Sequence, residues 1–299
     1  MYKKLTQHLK TQQNNTMKIP KRIQPLIEDG LIDDVTSRLM SGKEADIYVV
    51  TCGDEIRCAK VYKEANKRNF KKSAQYTEGR KVKNSRRARA MEKGSKFGRQ
   101  EQEKLWQNAE VDALYLLASA GVRVPEPFGC IDGVLLMELM SDGEGGVAPR
   151  LSDIAMTEEE ALEDHDIVLQ NIVRMLCAGI VHGDLSEFNV LVDQYGPVII
   201  DLPQAVNAAS NNNAKSMLER DVDNMRRYFG KFAPSLLHSN YGKEMWELYE
   251  NGELQPDTVL TGRFQESTKA ANVGAVMEQI EAAREEEEMR LERLKEDSA

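Results

Sequence analysis

The chain has 299 residues, 41% of them hydrophobic and 30% charged, with a formal net charge of −9, which is enough to bury a sizeable core as one large domain or two lobes. No apolar run approaches the roughly 20 residues of a membrane span, and Met1 to Lys21 is polar where a secretory signal would be apolar, so a soluble cytoplasmic protein is expected, with no membrane partner. Cys52, Cys58, Cys130 and Cys177 form no Cys-x-x-Cys pair, which argues against a zinc site or a disulfide framework.

Residues 1–20 are polar, rich in Gln and Asn and without periodicity, and are expected to be disordered or loosely attached. From Arg22 to Leu39 the apolar positions Ile23, Leu26, Ile27 and Leu31 have helical spacing broken at Gly30, predicting one or two short helices before the first strand. Asp46–Thr51 and Glu55–Tyr62 are β-branched and apolar runs joined by Cys52-Gly53-Asp54, which predicts a hairpin. The segment from Lys63 to Lys104 holds 15 Lys/Arg against 5 Asp/Glu, a local +10 that leaves −19 on the rest of the chain. A helix is expected from Gln100 to Ala120, stopped by Gly121 and by Pro125 beyond it. Cys130–Met140 contains a second hairpin around Asp132-Gly133. Gly143–Pro149 is a glycine-rich break and the candidate lobe boundary. Helices follow over Glu158–Ala178 and from Ala214 to about Glu253, and Met277–Lys295 reads as a charged terminal helix, within a stretch from Met277 of 9 acidic and 4 basic residues. Strands first and helices after argue for an α+β fold with two unequal lobes. The expected divisions are 1–20, an N-lobe over 21–140 with the basic insert 63–104, a helical C-lobe over 141–262, and a tail over 263–299.

The most specific segment is Val181-His-Gly-Asp-Leu-Ser-Glu-Phe-Asn-Val-Leu-Val192, followed by a Gly-Pro turn and Val198-Ile-Ile-Asp201. It sets Asp184 at a loop start, Asn189 five residues later and Asp201 at the end of an apolar strand. In phosphoryl transfer a carboxylate accepts the hydroxyl proton, while an amide oxygen and a second carboxylate hold Mg²⁺. Pairing of 190–192 with 198–200 would bring Asn189 and Asp201 together. The bland reading of Asp184 with Glu187 is a helix cap, and His182 reads as a packed, hydrogen-bonded structural histidine rather than a catalytic one.

Lys60 shares one face of its strand with Ile56, Cys58 and Tyr62, where a lysine wants an anion; its alternative is an edge lysine reaching solvent. Glu110 falls within the apolar stripe of Trp106, Ala109, Ala113, Leu114 and Leu117 and wants a cation, so the two supply each other as a phosphate-orienting ion pair, with Glu103 as the runner-up partner. Ser41-Gly42-Lys43-Glu44-Ala45 could aim backbone N–H groups and Lys43 at phosphates, although by itself it reads as a plain turn.

Together these residues, with Val124-Pro-Glu-Pro127 and Ile-Ile-Asp-Leu-Pro-Gln, resemble the RIO family of atypical serine/threonine protein kinases, in its first, non-winged-helix form, over roughly residues 20–230. The resemblance implies a bilobal protein-kinase-like fold, with a small antiparallel-sheet N-lobe carrying one main helix and a mainly helical C-lobe. It implies an ATP- and Mg²⁺-dependent kinase with autophosphorylation and an ATPase-switch role in ribosome assembly. Asp184 is then the base. Asn189 and Asp201 are metal ligands, Asp201 also being a candidate aspartyl-phosphate. Ser41, Gly42, Lys43 and Lys60 would meet the phosphates, and Glu138 to Met140 would form the hinge, with Met137 as gatekeeper. Ile47, Ala59, Leu191 and Ile200 would be apolar walls around the base. The phosphate loop has Met40-Ser41 where the family often shows Ser-Thr, and the acidic tail has no counterpart. The basic insert is open between contact with ribosomal RNA or a pre-ribosomal particle and a solvated loop. The alternative function is a small-molecule phosphotransferase of aminoglycoside or choline kinase type, which shares His-Gly-Asp-x-x-x-x-Asn but lacks the Ser-Gly-Lys-Glu-Ala loop with its long basic insert; a nucleotide-binding scaffold is the third reading.

Overall fold

The computed structural model of the chain describes residues 19–63 and 109–264. The chain divides into two units, 1–263 and 264–299, and every element below belongs to the first. Apart from Lys63, the basic insert 63–104 lies outside the described residues, as do Glu103, Trp106, residues 1–18 and the tail from 265.

A one-turn helix, α1 (Gln24–Glu28), starts with Pro25 in its first turn, where the missing N–H removes no intrahelical bond. Three strands follow: β1 (Asp34–Ser41), β2 (Ala45–Cys52) and β3 (Glu55–Tyr62). After a helix, α2 (described over 109–119), come β4 (Pro127–Ile131) and β5 (Val134–Glu138). The five strands form one antiparallel sheet in the order β1-β2-β3-β5-β4. Both expected hairpins are present. At the second, Asp132 (φ 48°) and Gly133 (φ 77°) take the two positive-φ central positions that a two-residue turn between twisted strands requires.

β1 corrects the expectation of helix up to Leu39. Only Val35 and Ser37 are buried along it, and pairing with β2 supplies the order that helical spacing suggested locally. The Ser41-Gly42-Lys43-Glu44 loop is therefore the turn between two paired strands.

Register assigns the faces of the sheet. Ile47, Lys60 and Leu135 stand opposite one another across β2, β3 and β5, while Tyr48, Ala59 and Leu136 stand opposite on the other side. That second face packs with Ile23, Leu26, Ile32, Val35 and Val134 into a closed cluster under α1. The Lys60 face turns toward α2, whose Ala113, Leu114 and Leu117 join Leu135, Tyr62 and the helical layer in the main core.

The helical layer contains α3 (Glu158–Cys177), β6 (Ile180–Val181), the hairpin β7 (Val190–Asp193) and β8 (Gly196–Ile199), β9 (Val206–Asn207), α4 (Ala214–Phe229) and α5 (Tyr241–Glu250). Short 3-10 turns occupy Leu151–Asp153 and Pro234–His238. α3 begins with a capping box in which Thr157 and Glu160 each bond the other's backbone N–H, followed by acidic residues that suit the positive helix end. The β7–β8 turn lies at Gln194-Tyr195, so Gly196 and Pro197 open a strand instead of forming the expected Gly-Pro turn. No helix of the described residues is long and apolar enough to cross a membrane.

Candidate active site

Lys60 is 8% exposed and Glu110 4%, so each would carry a large desolvation penalty alone. They meet directly. Lys60 Nζ bonds Glu110 Oε1 and lies 3.0 Å from Asp201 Oδ1, while the Tyr62 hydroxyl donates to Glu110 Oε2 at 2.6 Å. Burial alone would lower the Lys60 pKa, but the two facing carboxylates raise it well above the ordinary lysine value. Lys60 reciprocally holds the Asp201 carboxyl below its usual range against the opposing effect of burial.

The loop 182–189 carries the other polar groups and is fixed from several sides. His182 is buried; its Nε2 lies 3.1 Å from Ile200 O, and its Nδ1 accepts from Asp184 N–H at 3.3 Å. A neutral ring protonated on Nε2 satisfies both bonds, which is the structural role expected of it. Asp184 itself is exposed, with Oδ2 accepting from Gln204 Nε2 at 2.8 Å. Residues 184–187 form no helix, so the capping alternative is not what these side chains do.

Asn189 Nδ2 donates to Asp184 O at 2.9 Å and Asn189 O accepts from Ile200 N at 3.0 Å. The β7–β8 pairing, with Val190 opposite Ile199, thus brings Asn189 beside Asp201 across the mouth of the hairpin. Asp201 has φ 68°, a left-handed conformation that a non-glycine residue rarely adopts. The Asn189 amide nitrogen is engaged, leaving its oxygen, with the Asp201 carboxylate, as a hard-oxygen donor pair that fits Mg²⁺. Among the described residues no three His, Cys, Asp or Glu side chains converge on a metal position, so phosphate oxygens and water would have to complete the shell.

Sequence reasoning missed the anchor of this loop. Asp221 of α4 is 1% exposed and accepts from Gly183 N at 2.7 Å and Leu185 N at 3.0 Å. Asn224 Nδ2 donates to Leu185 O at 2.9 Å, and Arg220 bonds Gly183 O. Burial pushes the Asp221 carboxyl up to about 6, despite the two N–H bonds that favour its ionised form. The signal was available: Asp221 shares the stripe of Met217, Leu218, Val222 and Met225, and an inward aspartate on an apolar stripe needs donors.

The phosphate-loop residues Ser41, Gly42 and Lys43 cap the β1–β2 hairpin, with Gly42 N bonded to Ala45 O at 2.9 Å. Lys63, also missed, donates to Ser41 Oγ at 3.2 Å and Gly42 O at 2.6 Å and pairs with Asp46 at 3.2 Å. It holds the turn, while the Lys43 side chain is exposed.

Of the expected walls, Ile47 and Met137 lie on the Lys60 face, Met137 standing opposite Cys58. Met140, Ala148 and Val198 form a small buried cluster against which Leu191 packs, and Ile200 shares the parity of Val198 on β8. Glu138 is exposed and turns its carboxylate back to Glu126 N at 3.2 Å, while its own N–H donates to Glu126 O at 2.8 Å. Ala59 is a correction. It is fully buried in the cluster under α1, because strand alternation places it on the face opposite Lys60; Cys58 takes the cleft-side position, its thiol pushed up to about 12 by burial.

The family model for the RIO domain matches residues 46–241, which include β2, β3, the loop 182–189, Asp201 and Asp221. Among curated proteins the chain is similar to the RIO-type serine/threonine-protein kinase Rio1 of Haloferax volcanii, at 33% identity over 69% of this chain and 67% of that one. It is 31% identical to the serine/threonine-protein kinase rio1 of Schizosaccharomyces pombe and 29% identical to the serine/threonine-protein kinase RIO1 of Homo sapiens, over 68% and 71% of this chain. The matches span only 40% and 36% of those two longer relatives. The buried Lys60–Glu110 pair, the anchored His-Gly-Asp loop and the matched region coincide, and the chain belongs to the RIO domain family, that of the RIO-type serine/threonine-protein kinases.

Proposed function

We propose that the chain is an ATP- and Mg²⁺-dependent protein kinase acting on serine or threonine hydroxyls. The observation that carries this is Lys60, buried, bonded to Glu110 and reaching Asp201, on a strand facing the loop that presents Asp184. Lys60 would hold nucleotide phosphates, with Glu110 and Tyr62 fixing its direction. Asn189 and Asp201 would hold Mg²⁺, which neutralises charge on the phosphates when bound. Asp184, oriented by Gln204, would accept the proton of the acceptor hydroxyl as its oxygen bonds to the γ-phosphorus and the bond from that phosphorus to the ADP oxygen breaks. Ile47, Met137, Met140, Leu191 and Ile200 would enclose the base.

Labelled γ-phosphate transfer tests the reading, with wild type and Asp184→Ala each run without substrate, with a generic protein and with aminoglycosides. Protein labelling that falls by more than about 10²-fold in the variant supports it. Label on a small molecule would replace it with the phosphotransferase alternative, and nucleotide binding without transfer or hydrolysis with a scaffold. An acid-labile phosphoprotein lost in Asp201→Ala would extend the proposal to a phosphorylated aspartate. A ribosome-assembly setting, with RNA held by the basic insert, rests on charge and on the family resemblance; RNA binding with steep salt dependence, lost on neutralising Arg86, Arg87 and Arg89, tests it.

A further inference from the structure

Arg150 is absent from the residues assigned above, yet its backbone is among the most firmly held in the cleft. It pairs with Leu191 in an antiparallel bridge, flanked by Val192 N bonded to Pro149 O at 2.9 Å. Arg150 O accepts from Asp153 N at 2.9 Å, and the next residues are tied by Tyr228 Oη to Leu151 O and by Ser152 N to Glu187 O at 3.2 Å. The Cα is therefore fixed to the hairpin whose ends carry Asn189 and Asp201.

From that base the half-buried side chain crosses to β1, placing Nη2 3.1 Å from Met40 Sδ, one residue before Ser41-Gly42-Lys43. A thioether is a weak acceptor, and a guanidinium has five N–H donors. The other buried or half-buried cations of this region are committed: Lys60 to Glu110 and Asp201, and Lys63 to Ser41, Gly42 and Asp46. Among the described residues, Met40 is the acceptor given to the Arg150 guanidinium. Its charge also acts on Asp201, after that of Lys60, in holding that carboxyl low.

A rigidly based guanidinium with spare donors, between the phosphate-loop hairpin and the metal-binding hairpin, matches the planar, bidentate chemistry of a terminal phosphate. We infer that Arg150 recognises the γ-phosphate of ATP, exchanging the Met40 thioether for phosphate oxygens. This rests on the kinase reading and adds to it a residue that discriminates ATP from ADP.

The test is calorimetric titration of the full chain with ATP and with ADP, for wild type, Arg150→Gln and Arg150→Lys, with thermal unfolding as the folding control. Arg150→Gln is expected to weaken ATP about tenfold or more, the loss of a charge-assisted contact, while leaving ADP within about twofold. Arg150→Lys, which keeps the charge but not the fork, should fall between. Equal weakening of ATP and ADP in Arg150→Gln, or no weakening of either, overturns this inference alone. A folded wild type that binds neither nucleotide overturns the kinase reading with it.

Discussion

Replacing Asp221 with Asn separates the stability of the fold from the geometry of the loop. The carboxylate offers two oxygens to two backbone N–H donors, Gly183 and Leu185; an amide offers one oxygen and turns an NH₂ toward the other donor. The variant loses one bond to a charged acceptor, about 1.5–3 kcal/mol, and leaves an N–H unsatisfied, about 1–3 kcal/mol. It also escapes the burial of an anion. A carboxyl raised from 3.8 to about 6 costs about 3 kcal/mol at neutral pH, which offsets much of that loss. Urea unfolding at pH 7 should therefore place Asp221→Asn within about 3 kcal/mol of wild type. Phosphoryl transfer should fall on the order of 10²-fold, because a displacement near 1 Å in the segment carrying Asp184 is enough. The pH dependence has a definite sign. With the folded value raised, the Asp221 contribution is full below 3.8 and lost as pH rises through about 6, so wild type gains about 1 kcal/mol on the variant between pH 7 and pH 5. Unchanged transfer, or destabilisation beyond about 5 kcal/mol, would refute this division of roles.

Two further substitutions probe the core around the site. His165 is 2% exposed, packed against Phe229 and Tyr241 at ring separations of 5.5 and 5.6 Å, and burial lowers it to about 4. Its stabilising neutrality is complete above about 6.5 and lost as pH falls toward 4, about 2 kcal/mol by pH 5; His165→Leu should remove that much of the acid sensitivity in unfolding titrations, and an unchanged pH profile would count against it. Ala59→Leu should destabilise by about 1–3 kcal/mol through overpacking under α1 while the folded protein binds ATP with wild-type affinity; a selective loss of nucleotide binding would return Ala59 to the cleft.

The hairpins and the Asp184, Asn189 and Asp201 spacing were legible because turn residues and chain-local motifs encode them. Lys60 with Glu110 was legible because each charge interrupts an apolar pattern and only a partner explains both. β1 was not, since the helical spacing of Ile23, Leu26, Ile27 and Leu31 leads into it, only Val35 and Ser37 are buried along it, and its order comes from β2. Asp221, Lys63 and Arg150 act on residues 36–38, 21–22 and 110 positions away, and no local pattern names such partners. Ala59 was not legible from the motif, because strand parity, not its place beside Lys60, sets the face it occupies.

That parity has a consequence for how the site is assembled. β3 is sandwiched between the apolar cluster under α1 and the face that holds Lys60. A slip of β3 by one residue would drive the ammonium into contact with Ile23, Leu26 and Val35 and strand Glu110 without its cation, a penalty of several kcal/mol. The same apolar contacts that fold the sheet thus act as a proofreading step: a lobe that closes under α1 has already chosen the register in which its lysine faces the nucleotide side.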